Sequence, residues 1–176
     1  MTSTLAPTTS STDADVLALA AHVGATAADH DALHDRDATF VAEAYAAAAD
    51  VGYLRLAVPA EFGGLGASMR QVVLAEEELG ARSGATALAA AIRTALSLVQ
   101  CWRHRRGAAD AETALRRIAG GLVIATSGGS DWVCPTTRAT EVEGGYRFDG
   151  RKTFCSQAPA AGAISTSATL GEGPGA

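Results

Sequence analysis

The sequence has 176 residues, of which 48% are hydrophobic, enough to build a core and too many for a disordered chain. A formal net charge of -5 provides no broad attraction for phosphate backbones or anionic lipid, which argues against nucleic acid and membrane surfaces as partners. Three cysteines, Cys101, Cys134 and Cys155, are odd in number and far apart, which disfavours a disulfide framework and CxxC-type metal spacing.

The opening residues 1–14, "MTSTLAPTTSSTDA", carry neither a basic start nor a continuous apolar segment and are expected to form a solvated tail on a cytoplasmic protein. Apolar residues then recur at helical spacing through residue 119. A first helix is expected from Asp15 to Ala28, capped by Thr12 or Asp13. A second carries Phe40, Ala44, Ala47 and Val51 and ends at Gly52. Ser68 suits the N-cap of a third, which is expected to stop at Gly80. The fourth follows Ser83, carries Leu88, Ile92, Leu96 and Val99, and ends in "RHRR", residues 103–106. Those cations complement the negative end of the helix dipole, which reads them as structural. A short helix over Asp110 to Ala119 closes this half.

After Gly121 the period changes to that of strands: "LVIAT", "TRATEV", "YRFD", "RKTFC" and "AISTSAT", punctuated by Gly144-Gly145 and Asp149-Gly150. Tyr146 and Phe148 alternate with Arg147 and Asp149, as on a strand with one buried face. Helices first and strands second predict an α+β chain: an all-α domain over 15–120, then the beginning of an antiparallel β domain over 121–176.

Three stretches in this order carry a resemblance. "VPAEFGGLG", residues 58–66, resembles a signature of the acyl-CoA dehydrogenase family, in which Pro59 and the glycines form a connector and Phe62 plugs the core. "MRQVVLAEEELGARSG" is similar to the family's next helix; its Glu76, Glu77 and Glu78 read as a solvated face. "GRKTFCSQA", residues 150–158, resembles the family strand Gly-x-Lys-x-Trp-Ile-Thr-Asn.

The resemblance implies FAD as cofactor, with FMN as the alternative, and an acyl-CoA or other small-molecule substrate in a homo-oligomer of the complete protein. It makes Thr126 the flavin-contacting threonine at a strand end, and it puts Phe154 and Ser156 in the places of the aromatic and hydroxyl residues beside the flavin. Ser130 corresponds to a serine near flavin and bound acyl-CoA. The loop "TSGGSD", residues 126–131, is two residues shorter than the family's Thr-Glu-Pro-Gly-Ala-Gly-Ser-Asp, and Phe154 replaces the usual Trp.

The implied reaction is α,β-dehydrogenation of an acyl thioester, with a carboxylate base removing the α proton and hydride passing to flavin N5. The family's base lies in a C-terminal helical domain, so none of the acids here is given that role and the chain is expected to be a fragment. Two other readings stay open: a flavin-dependent monooxygenase of the same fold, and a noncatalytic helical module.

Overall fold

The computed structural model describes residues 11–171 and divides into two units, Met1–Leu122 and Val123–Ala176. In the first unit Thr12 is extended and its hydroxyl accepts the Asp15 amide, while the Asp15 carboxylate accepts the Thr12 amide. This reciprocal box starts α1 (Asp13–Ala28). The Ser11 hydroxyl donates to the Leu65 carbonyl at 3.1 Å, and the Ser11 carbonyl accepts from Gln71 Nε2 at 2.6 Å. Residues 11–14 therefore belong to the folded unit, not to a tail; the tail expected over residues 1–10 lies outside the described residues.

The helices that follow are α2 (Asp31–Asp37), α3 (Ala42–Asp50), α4 (Met69–Arg82), α5 (Gly84–Arg105) and α6 (Ala109–Ala119), with short 3-10 turns at Tyr53–Arg55 and Ala60–Phe62. Only α2 was not expected. It buries no residue, so it leaves no apolar period in the sequence. Val16, Ala20, Val23 and Ala27 of α1 pack on α4, where Val72, Ala75 and Leu79 are buried. Helix α4 runs past Gly80 to Arg82 before Ser83 caps α5.

The rotation of α5 differs from the sequence pattern. Of Leu88, Ile92, Leu96 and Val99 only Leu96 is buried, and Leu88 is 62% exposed. The inward face instead carries Thr86, Ala89, Ala90, Arg93, Thr94, Ser97 and Cys101. Arg93 decides this. It is 3% exposed, and its guanidinium donates to the carbonyls of Leu54 (2.5 Å), Ile118 (2.7 Å) and Leu122 (2.7 Å). Ile118 lies in the last turn of α6, where carbonyls lack helical partners and carry the negative dipole end. The length and composition of α5 would allow a membrane span, but its polar residues are satisfied inside this unit, as in a core helix.

The connector over 57–67 folds back on itself: Leu65 N donates to Arg55 O, Gly66 N to Val58 O and Ala67 N to Leu56 O. Phe62 is buried, edge-on to His104 with centroids 4.9 Å apart and beneath the Arg116 guanidinium at 5.2 Å, so it does plug the core. A Cβ on Gly64 would stand 2.0 Å from the Val58 carbonyl oxygen, a backbone atom that cannot move aside. The basic run after residue 102 serves the end of α5, as read. Arg103 pairs with Asp110, Arg105 donates to the Cys101 carbonyl at 3.3 Å, and Arg106 covers the Trp102 ring at 4.5 Å.

Glu76 is not on a solvated face. Its Oε1 accepts from Thr94 Oγ1 at 3.3 Å, and its buried Oε2 lies near the buried Tyr53 hydroxyl. Burial pushes the Glu76 carboxyl up to about 7, against the weaker pull of Thr94 and Tyr53. Glu77 stays exposed, and Glu78 pairs with Arg82 at 2.7 Å.

The second unit comprises β1 (Ile124–Thr126), α7 (Gly129–Val133), β2 (Arg138–Val142), β3 (Gly145–Asp149), β4 (Ala163–Ser165) and β5 (Thr169–Leu170). The helices-then-strands order and the β2–β3 hairpin across Gly144 match expectation, with Glu141 opposite Tyr146. The other two pairings, however, are parallel: β4 adds to β1, with Ala125 opposite Ile164, and β5 adds to β2, with Ala139 opposite Leu170. Parallel pairing requires a long return, and residues 127–162, which carry α7 and the β2–β3 hairpin, supply it for β4. "RKTFC" is therefore not a strand, and "AISTSAT" splits between two sheets. Tyr146 and Phe148 are 54% and 58% exposed, so the alternation on β3 does not mark a buried face among the described residues.

Two outcomes follow from this packing. Gly64→Ala should cost about 2–4 kcal/mol in denaturant unfolding, whereas Gly84→Ala, at a helix start with open space around it, should be neutral or gain up to about 1 kcal/mol. The Glu76 pKa is higher folded than unfolded, so its contribution to stability is complete below about pH 4.5 and is lost as pH rises to about 7. Urea midpoints of the wild type should fall across that window by the equivalent of about 2–3 kcal/mol, and Glu76→Gln should abolish the slope and be the more stable protein at pH 8.

Candidate functional site

Strand β1 ends where the chain reaches Ser127, Gly128 and Gly129, residues too small to hold a fixed path by side-chain packing. Hydrogen bonds hold it instead. Thr126 is buried; its hydroxyl accepts from Trp132 Nε1 at 3.2 Å and donates to the Ser127 carbonyl at 3.3 Å. Ser127 Oγ donates to Asp131 Oδ2 at 2.6 Å, which folds the loop over the first turn of α7.

Asp131 is the centre of the network. Lys152 Nζ reaches its Oδ2 at 2.5 Å, and both side chains are almost fully enclosed. Its Oδ1 accepts the Thr136 amide at 3.0 Å and the Thr136 hydroxyl at 2.8 Å. The ammonium also donates to the Ser167 carbonyl at 2.8 Å, and Ser167 Oγ donates to the Asp131 carbonyl at 2.5 Å. Three separate segments, 126–136, 151–154 and 165–169, thus meet on one ion pair. Lys152, then the Ser127 hydroxyl and the Thr136 amide, hold the Asp131 carboxyl well below the usual carboxylate range.

Phe154 stands two residues beyond Lys152. Its φ is 56°, and it is 85% exposed. A left-handed conformation costs a bulky residue about 1–3 kcal/mol, and burial does not repay it here. The ring edge borders the loop: a Cβ on Gly128 would be 4.0 Å from Phe154 Cδ2. Gln157, also left-handed, fixes the far end of the segment by donating from Nε2 to the Ile124 carbonyl at 2.9 Å.

The structure therefore brings Thr126, its following loop and Phe154 together. Ser130 is exposed in the first turn of α7, and Ser156 is half-buried just before Gln157; neither hydroxyl joins the network among the described residues. Sequence reasoning gave no role to Ser127, Asp131, Lys152, Thr136 or Ser167. A signal for one of them was present, since Lys152 is the only lysine among 14 basic residues. No His, Cys, Asp and Glu grouping among the described residues could hold a metal ion.

Because the folded Asp131 pKa is depressed, its contribution is complete above about pH 4 and is lost as pH falls below it. In a Trp102→Phe background, Trp132 fluorescence should report this loss as a transition on acidification. Asp131→Asn should show the altered Trp132 signal already at pH 7 and no further transition below pH 4.

Residues 16–107, more than half of the chain, match the family described as acyl-CoA dehydrogenase, N-terminal domain. The amino sugar nitrososynthase RubN8 of Streptomyces rubradiris is 34% identical over 134 residues, covering 73% of this chain and 32% of that protein. Mitochondrial isovaleryl-CoA dehydrogenase of Oryza sativa subsp. japonica is 32% identical over 111 residues, covering 60% of this chain and 27% of that one. The solved structure of KijD3 in complex with FMN and dTDP-3-amino-2,3,6-trideoxy-4-keto-3-methyl-D-glucose superposes with a TM-score of 0.74 at 27% identity, covering 96% of this chain and 43% of that chain. The chain spans about a third of the length of the curated relatives it matches. With its helical unit matched by the family profile and its helices-then-strands order shared with solved flavoproteins, the chain belongs to the acyl-CoA dehydrogenase family.

Proposed function

We propose that the protein is a flavin-dependent oxidoreductase and that the second unit contributes one wall of its flavin site. The observation that carries this is Phe154, an aromatic held in a strained conformation with its face left to solvent beside a glycine loop. A planar heterocycle fits such a surface: the ring provides a stacking face, the glycines allow close backbone approach, and Thr126 stands at the strand end beside them. The FMN seen in KijD3 and the family membership support a flavin as that heterocycle. Bound flavin would supply hydride or electron acceptance, and the residues here would bind and orient it. Ser130 and Ser156 are proposed as peripheral hydroxyls of the same site, with Ser130 closest to the substrate side.

Two reactions suit such a site. Dehydrogenation of an acyl-CoA is supported by the likeness to isovaleryl-CoA dehydrogenase. Oxygen-dependent chemistry on a small polar substrate is favoured by the shortened "TSGGSD" loop and by the longer stretch matched in the nitrososynthase RubN8. We infer the second as the better reading.

The complete protein, loaded with FMN or FAD, separates the two. Oxygen-dependent turnover of an amino sugar nucleotide by reduced enzyme, with no anaerobic bleaching of the flavin by isovaleryl-CoA, is the expected result. Bleaching by the thioester would establish dehydrogenation, and the absence of any flavin binding by the complete protein would reject the site itself.

A further inference from the structure

The ion pair that holds Lys152, two residues before the exposed aromatic, has no role in the reading above, and its geometry gives it one. We propose that Asp131 and Lys152 are positioning residues that hold Phe154 and the Thr126–Gly128 loop as a preformed platform for a planar ligand; this rests on the flavin reading and deepens it.

The argument starts from Phe154. A left-handed φ on an aromatic persists only when its surroundings over-determine it, and the ring itself is too exposed to hold the backbone by packing. The restraint must come from the flanks. On one side Lys152 is drawn inward to Asp131 Oδ2 and the Ser167 carbonyl, while the carbonyl of its neighbour Arg151 accepts from Thr136 Oγ1 at 3.1 Å. On the other side Gln157 bonds to β1 through the Ile124 carbonyl. The four residues between Lys152 and Gln157 must therefore bridge two fixed points, and Phe154 takes the turn outward.

The same carboxylate fixes the opposing loop by accepting from Ser127 Oγ, and the next residue in the chain, Trp132, donates to the Thr126 hydroxyl. One enclosed carboxylate thus sets both surfaces, so their separation is defined before any ligand arrives. Preorganisation of this kind lowers the ordering cost of binding. Lys152 suits the task because its ammonium, a compact charge on a flexible stem, donates to a carboxylate and to a carbonyl that belong to different segments.

The test uses the full 176-residue chain in five forms: wild type, Lys152→Arg, the double variant Asp131→Asn/Lys152→Met, Phe154→Ala, and all three substitutions together. The double variant leaves no uncompensated charge, and helical circular dichroism checks that the first unit stays folded. FMN and FAD are titrated by flavin fluorescence, with the visible circular dichroism of bound flavin as the spectroscopic signature.

We expect the double variant to bind flavin about tenfold more weakly and with an altered visible spectrum, Lys152→Arg to restore part of both, and Phe154→Ala to add nothing in the double-variant background. Affinity and spectrum within about twofold of wild type in the double variant would overturn the positioning role and leave the flavin reading intact. If the wild-type chain binds neither flavin, the backbone amide chemical shifts of residues 126–128 and 153–156 decide: shifts moved towards random-coil values in the double variant and kept in Lys152→Arg uphold the positioning role, whereas unchanged shifts overturn it.

Discussion

An ammonium withdrawn from water must find carboxylate or carbonyl oxygens at hydrogen-bond distance, since an unpaired buried charge costs several kcal/mol. In the second unit that demand falls on Lys152, and the path of the surrounding chain follows from meeting it. Asp131 has to turn inward, so the glycine-rich stretch before it closes into the first turn of α7. Ser167 has to offer its carbonyl, so the "AISTSAT" stretch bends between β4 and β5, and these short strands join different sheets. Lys152 itself has to leave the alternation of a strand, which is why the residues after β3 run irregularly. Small sheets of two and three strands bury little apolar area, so polar satisfaction decides more of the local geometry here than hydrophobic burial does.

Arg93 plays the corresponding part in the helical unit, with a different chemistry. No carboxylate pairs with it among the described residues; backbone carbonyls from the Tyr53–Arg55 turn, the end of α6 and Leu122 share the charge. A planar group with five donors can satisfy several carbonyls at once, which a single ammonium does less well. The consequence is a long apolar helix whose inward face is partly polar, with Leu88 and Val99 left exposed. Hydrophobic period is a reliable guide to which face packs only where no buried ion has a stronger claim.

This contrast accounts for what could be read from the sequence. Three helix starts carried local signals, Thr12, Ser68 and Ser83, and those elements formed near where they were expected. The β2–β3 hairpin announced itself through Gly144-Gly145. What the pattern did not reveal was non-local: the parallel partners of β1 and β2, the inward turn of α5, the burial of Glu76, and the joining of Asp131 to Lys152 across 21 positions. Of the candidate site, Thr126 and Phe154 were named through the family resemblance, and the fold places both beside the glycine loop. Their support was not legible, because an acid and a base in separate motifs look like ordinary surface charges until the fold brings them together.

The scarcity of lysine has a practical side. Every other basic residue is arginine, so this chain offers amine-directed reagents a single side-chain amine, already engaged by a carboxylate and a carbonyl. Acylating agents, lysine crosslinkers and lysine-modifying enzymes would find almost no foothold on the native surface. Acylation of Lys152 would instead require the second unit to open, so its rate would measure how often that unit opens, one amine serving as a clock for one local transition.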